Sequence, residues 1–491
     1  MSYRIILFIL TISLTSCSED FLDRSLKGEL ELNNFMKTEN DAILATNACY
    51  NSMRDWRYWG GFPFLEIMTD DATKGSNPSD GSHLIPIENF SFLTSSDHVS
   101  ALYQTEYAAI RRANLVIEKA PEIDLDETLK NRLIGETRFI RAISYFHLVR
   151  AYGGIPIVET IEPPRLLPRN TADEVYDLII ADLGKAIDDL PEQSEYEADD
   201  IGRASKGAAK ALLSKVYLYR GDYINAEKYA LEVINSAQYT LDPDFGNSFS
   251  VFGEYGPGSI FELGAIGEGS KDLGGHQYAN TQAVRGIPNR GWGFNRPSIE
   301  LINFFLERED PRLDATAIFL GETLDGVFIS GDSQTPDTTY DGSGKITAIE
   351  CYNQKVWTPG TSTDDSWGYN IRVLRYADVL LIAAESLNEN DKSSQALPYL
   401  NLVRERARGS NSDVLPDITS TDQDELRDII FDERRAELAM EQNRFFDLVR
   451  TGRAGEVLGP LGFETSKHEL LPIPQSEIDL SEGTLEQNPG W

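Results

Sequence analysis

Apolar residues recur at helical spacing through much of the first half of the chain. Ile110, Ala113 and Ile117 fall at i, i+3 and i+7, and Ala142, Tyr145, Phe146 and Val149 repeat the stripe. Gly153-Gly154-Ile155-Pro156 ends that second helix. Thr171 and Glu174 form a capping-box pattern ahead of Val175, Leu178, Ile179 and Leu183, and Pro191 closes the helix. Between 206 and 236, Ala208, Leu212, Leu213 and Val216 line one face. Gly221-Asp222 marks a turn, and Ala226, Tyr229, Ala230, Val233 and Ile234 line the return helix.

Small residues alternating with large aliphatics about a Gly-Asp turn make a tetratricopeptide-like hairpin. A second hairpin is read over 376–408, with Val379, Ile382 and Ala383 on its first helix. Asn388-Glu389-Asn390-Asp391 forms its turn, and Ala396, Leu400, Val403 and Ala407 lie on its return. Residues 241–370 hold 19 of the 38 glycines in about a quarter of the chain. Turn pairs such as Gly274-Gly275 and Asp341-Gly342 make this stretch loops and short strands. The expected fold is mainly α: a helical-hairpin scaffold at about 41–240 and 371–491, carrying an irregular insert at about 241–370, in one domain over 41–491. Loops on a rigid scaffold are where binding residues usually sit.

The N-terminus is different in kind. Arg4 precedes an apolar run from Ile5 to Ile12, too short to cross a bilayer, and then Leu14-Thr15-Ser16-Cys17. This resembles the lipobox of bacterial lipoproteins, which implies a signal peptide over 1–16, a lipid anchor on Cys17, and a tether and domain start over 17–40. Ser18-Glu19-Asp20 follows, an acidic patch similar to the surface-export signal of Bacteroidetes lipoproteins.

Charge narrows the partners. With 79 Asp+Glu against 45 Lys+Arg the net charge is −34, which argues against nucleic acid and anionic lipid, and weakly against any polyanionic ligand. Besides Cys17 there are only Cys49 and Cys351, read as two buried free thiols. His83, His98, His147, His276 and His468 have no metal-ligand spacing, so neither metal nor cofactor is expected. There is no G-x-S-x-G, H-E-x-x-H or P-loop pattern.

Several motifs then converge. Arg375-Tyr376-Ala377-Asp378-Val379-Leu380-Leu381 with Ala384-Glu385 resembles a signature of the SusD/RagB family. So do Asp432-Glu433-Arg434-Arg435-Ala436-Glu437-Leu438, Asn443-Arg444-Phe445-Phe446-Asp447-Leu448, and Leu471-Pro472-Ile473-Pro474 with the ending Gln487-Asn488-Pro489-Gly490-Trp491. Cys17 with Phe21-Leu22-Asp23, the run from Tyr145 to Pro156, and Gly291-Trp292-Gly293-Phe294-Asn295 are similar to its other motifs. The resemblance implies a SusD-like fold and a non-catalytic lipoprotein on the outside of the outer membrane. It would bind a glycan or another nutrient, such as a peptide, and pass it to a SusC-like TonB-dependent transporter. A surface glycoside hydrolase and a purely protein-binding repeat remain as alternatives. Glu433, Arg434, Arg435, Glu437 and Arg444 are read as an ion-pair network fixing the last helices rather than as catalysts.

Sugars are held by aromatic rings on their apolar faces and planar polar groups on their hydroxyls. Candidates are therefore Trp56, Tyr58 and Trp59 before the Gly60-Gly61 break, and Tyr278, Asn280, Gln282 and Arg285 in the insert. Trp292 and Trp367 are further candidates, as are the adjacent carboxylates Asp70 and Asp71. Two neighbouring acids do not make a glycosidase pair, which needs carboxyl groups about 5–10 Å apart across a cleft.

Overall fold

The computed structural model describes residues 35–55, 57–58, 63–266, 275–285, 291–333, 335–344, 346–358 and 368–491. The long helices are α1 (Glu39–Ser52), α2 (Asp97–Lys119), α3 (Glu127–Tyr152), α4 (Ala172–Asp189), α5 (Lys206–Arg220), α6 (Tyr223–Asn235), α7 (Tyr376–Glu389), α8 (Ser393–Arg408) and α9 (Gln423–Leu438). Local sequence sets their ends. Thr171 and Glu174 form the capping box of α4: the Thr171 N–H donates to the Glu174 carboxylate at 2.7 Å, and the Glu174 N–H to Thr171 Oγ1 at 3.3 Å. Gly221 takes a left-handed φ of 74° to end α5, and Asp222 caps α6 through the Asn225 N–H at 3.1 Å.

From α1 to α7 each helix packs on the next, and α7 also packs on α8 and α9. The two hairpins far apart in sequence are thus neighbours in space, with α6 directly on α7. A continuous apolar core runs through the stack, including Leu133, Ala142, Ile179, Leu212, Ala226, Leu380 and Leu400. Arg141 of α3 forks onto Asp182 of α4 inside it, at 2.7 and 2.8 Å.

The insert between α6 and α7 is made of short pieces, as its glycines suggest. Its strands, with one from before α2, are β1 (Ala72–Gly75), β2 (Ser259–Leu263), β3 (Phe294–Pro297), β4 (Ala317–Phe319), β5 (Thr323–Leu324), β6 (Val327–Phe328), β7 (Thr338–Tyr340), β8 (Ile346–Ile349), β9 (Cys351–Asn353) and β10 (Ile371–Arg375). They form two-stranded antiparallel pairs, β1 with β3, β2 with β10, β4 with β9, β5 with β6 and β7 with β8. The β2–β10 pair, Ile371 opposite Leu263 and Arg375 opposite Ser259, closes the insert just before α7.

The C-terminal charges are structural. Arg434 reaches Asp378 at 2.8 Å and Asp447 at 3.3 Å, and Lys215 reaches Asp378 at 2.9 Å, all deeply buried. Trp491 packs on Phe92 and His468, and its Nε1–H donates to the carbonyls of Lys467 and Leu470 at 3.1 Å. Cys49 and Cys351 are separate buried thiols.

One glycine tests the packing. Gly207 lies in the first turn of α5, where alanine normally favours helix by about 1 kcal/mol. A Cβ there would stand 2.3 Å from the Tyr239 hydroxyl oxygen and 2.8 Å from its ring. That hydroxyl lies 3.1 Å from Ser205 Oγ, the cap of α5. Gly207→Ala is therefore expected to destabilise by about 1–3 kcal/mol despite its propensity. In a Tyr239→Leu background the same change should become neutral or favourable. Thermal melts of the four proteins check this, and an unchanged sign would refute the steric account.

Candidate functional site

The structure moves several candidates indoors. The Tyr58 ring is buried edge-on to His147, with its hydroxyl 3.4 Å from Ser144 Oγ. Tyr278 is buried and stacked on Tyr369 at 6.3 Å. Asn280 is 2% exposed, and its backbone carbonyl takes the Trp292 N–H at 2.8 Å. Gln282 Oε1 accepts from Asn295 at 2.8 Å and Asn353 at 2.9 Å. Arg285 is fixed by Asp80 at 2.6 Å and Asp332 at 2.7 Å, and Trp292 lies half-buried against the core. Asp70 forks onto Arg444 at 2.9 Å, and Arg435 bridges Asp70 and Asp71 at 2.8 and 2.7 Å. In this structure Tyr58, Tyr278 and Gln282 pack or pair within the protein, and Arg285, Asp70 and Asp71 are held in ion pairs. Cys17, Trp56, Trp59 and Trp367 lie outside the described residues.

An open space lies elsewhere. Helix α2 buries Leu102, Ala109, Ile110 and Ala113, and turns Gln104, Ala108, Arg111 and Arg112 outward in one stripe. Along this stripe runs a cavity of about 560 Å³, walled by Asn51, Arg54, Asp55 and Arg57 on one side and by Gly275, His276 and Gln277 on the other. Thr105 Oγ1 donates to the Arg57 carbonyl at 3.1 Å and ties the first wall to the helix. Arg57 grips Asp55 at 2.9 and 3.0 Å. Burial alone would raise the Asp55 carboxyl, but the Arg57 hydrogen bonds and the nearby charge of Arg112 hold it below its ordinary value. Burial depresses His276 to about 4, so it stands neutral in the wall at physiological pH.

A second cavity, about 650 Å³, adjoins the first and shares Gln104, Ala108 and Arg112 with it. Its walls are Tyr103 and Tyr107 of α2, the Pro163-Pro164-Arg165-Leu166-Leu167 loop, and Glu477, Leu480, Ser481, Thr484 and Leu485 from the C-terminal segment. The Tyr107 hydroxyl donates to the Pro156 carbonyl at 2.6 Å, and the Tyr103 and Tyr107 rings lie 4.8 Å apart. The two cavities make one cleft of mixed polar and apolar lining around α2, large enough for several sugar rings. Arg57, next to the candidate Trp56, lines it, as do His276 and Gln277 just before the candidate Tyr278, whereas Tyr278, Asn280, Gln282 and Arg285 do not. Gln104, Arg111 and Arg112 were missed because polar residues on an amphipathic helix read as a solvated face. The available signal was Ala108, a small residue in the middle of that face.

Among the described residues no cluster of three His, Cys, Asp or Glu is placed to hold a metal ion, and no helix is long and apolar enough to cross a membrane.

Residues 257–491 match the model of the SusD family, and residues 22–218 match a model described as starch-binding associating with outer membrane. SusD-like protein P2 of Formosa agariphila is 32% identical over 521 residues, covering 100% of this chain and 99% of that one. The starch-binding protein SusD of Bacteroides thetaiotaomicron is 25% identical over 469 residues, 81% of each chain. Among solved structures, a laminarin-binding SusD-like protein superposes with a TM-score of 0.78 at 29% identity, covering 93% of this chain and 100% of that one.

Proposed function

Since the chain belongs to the SusD/RagB family, we propose that it is a surface lipoprotein of the outer membrane that binds a glycan and delivers it to a SusC-like TonB-dependent transporter, without catalysis. Cys17 carries the lipid in this reading, and the acidic residues after it direct the protein outward. The observation that carries the binding role is the cleft around α2, of sugar scale and mixed lining, in a chain whose relatives are named for binding starch and laminarin. Trp56 stands in sequence between Asp55 and Arg57, both of which line the cleft. Trp56, with Trp59 and Trp367, is proposed as a stacking surface for pyranose rings.

The test is affinity electrophoresis of the protein lacking residues 1–17 in gels cast with individual polysaccharides, with reducing ends assayed in parallel. Retardation without release of reducing sugar is expected, as is at least a tenfold loss of affinity in Trp56→Ala with an unchanged circular dichroism spectrum. Release of sugar would overturn the non-catalytic reading, and failure to bind any polysaccharide would overturn the glycan reading.

A further inference from the structure

The cleft is charged opposite to the chain that bears it. Among the described residues five arginines line it: Arg54 and Arg57 in one lobe, Arg111 and Arg165 in the other, and Arg112 in both. Among the described residues, the carboxylates lining it are Asp55, already gripped by Arg57, and Glu477. Arg165 is paired with Glu482 at 2.5 Å beside the second lobe. Arg54 donates to the Asn51 side chain, but Arg54, Arg111 and Arg112 make no ion pair with any described residue. In a protein with 79 acidic and 45 basic residues, an average surface of this size would be acidic.

The chemistry follows from the guanidinium. It is planar, permanently charged, and presents paired N–H donors that match the two oxygens of a carboxylate or sulfate. A neutral sugar is served as well by amides and hydroxyls, which carry no desolvation penalty for a full charge. Arg111 and Arg112, seven and eight residues along α2 from Gln104, are placed to read successive anionic groups on an extended chain, with Arg112 where the two cavities meet. The net charge of −34 acts at long range and is screened within about 8 Å at physiological salt, whereas contacts in the cleft are not. The composition's weak argument against polyanionic ligands therefore does not reach this surface.

We propose that the ligand of this cleft is an anionic glycan, bearing uronate carboxylates or sulfate esters, with Arg112 as the cation shared by both lobes. This rests on the glycan-binding reading and names its substrate class. The experiment is affinity electrophoresis in gels containing polygalacturonate, a sulfated galactan, or a neutral β-glucan, followed by titration calorimetry at 50 and 300 mM NaCl. Retention by an anionic gel is expected, with the first two gels separating carboxylate from sulfate recognition. Binding should weaken at least tenfold in Arg112→Gln and several-fold at the higher salt, with Arg111→Gln as a second surface variant. Both side chains are exposed, so the fold should survive either change. Retention by the neutral glucan alone would overturn the anionic assignment while leaving glycan binding intact. Anionic binding untouched in both variants would overturn the assignment to this cleft. Retention by no gel would overturn the glycan reading and this inference together.

Discussion

Replacing Glu437 with alanine should lower the unfolding free energy by about 3–5 kcal/mol, the usual result of stripping one partner from a buried ion pair. Glu437 lies on α9 with its carboxylate fully enclosed. It accepts from Arg375 at 2.8 Å, Arg406 at 2.6 Å and Arg312 at 3.2 Å. Arg375 would keep Glu441, and Arg312 would keep Asp310 and Glu433, all at 2.7 Å. Among the described residues Arg406 would be left with only the face of Phe245, 5.0 Å away, and that makes the loss large. Burial alone would raise the Glu437 pKa, but Arg406, Arg375 and Arg312 outweigh it and hold the carboxylate well below its ordinary range. The stability it lends is present above the unfolded value of 4.5 and is lost as pH falls below it. Urea unfolding followed by tryptophan fluorescence at pH 7 and pH 3 checks both parts. The variant should differ strongly from the parent at pH 7 and less at pH 3, and a difference under 1 kcal/mol at pH 7 would show the network to be dispensable.

Glu66 should behave in the opposite sense. It sits in the short helical turn Phe64–Ile67, fully buried, with the Gln442 N–H on one oxygen and no hydrogen bond on the other. Burial, reinforced by the negative charge of Asp71, pushes it up to about 8 from 4.5. Between those values the native state holds a proton that the unfolded chain has released, so stability falls as pH rises. The limiting slope is about 1.4 kcal/mol per pH unit. Glu66→Gln removes the titration while keeping the shape. Its melting temperature should gain on the parent's steadily from pH 5 to pH 8.5, and parallel profiles would exclude the account.

How much of this was legible in sequence depends on the range of the signal. The hairpins at 206–236 and 376–408 and the cap at Thr171 rest on residues within one or two turns of each other, and they appear where the pattern put them. Asp70 and Asp71 looked like free acids because the arginines that neutralise them lie more than 360 residues further along. Tyr58 and Tyr278 looked like loop aromatics, yet loop sequence does not reveal which helix will cover it. The cleft escaped for the same reason, since its walls come from Arg57 and from within residues 51–55, 101–112, 156–167, 275–277 and 477–485. Only the helical stripe is local, and a polar stripe on its own says solvent.

The clasp of β2 on β10 has a consequence for how such a protein diversifies. It brings Ser259 and Arg375 opposite each other at the foot of the helical stack, so the chain between them leaves and returns at one point. Lengthening a closed loop is inexpensive, about 0.6 kcal/mol for each doubling. The scaffold can thus host inserts of different length, provided they keep the residues, such as Arg312, that reach back to Glu433 and Glu437 of α9. Exchanging the loops of residues 264–370 while keeping such anchors should leave the helical stack folded and alter the cleft only at the wall that Gly275, His276 and Gln277 supply.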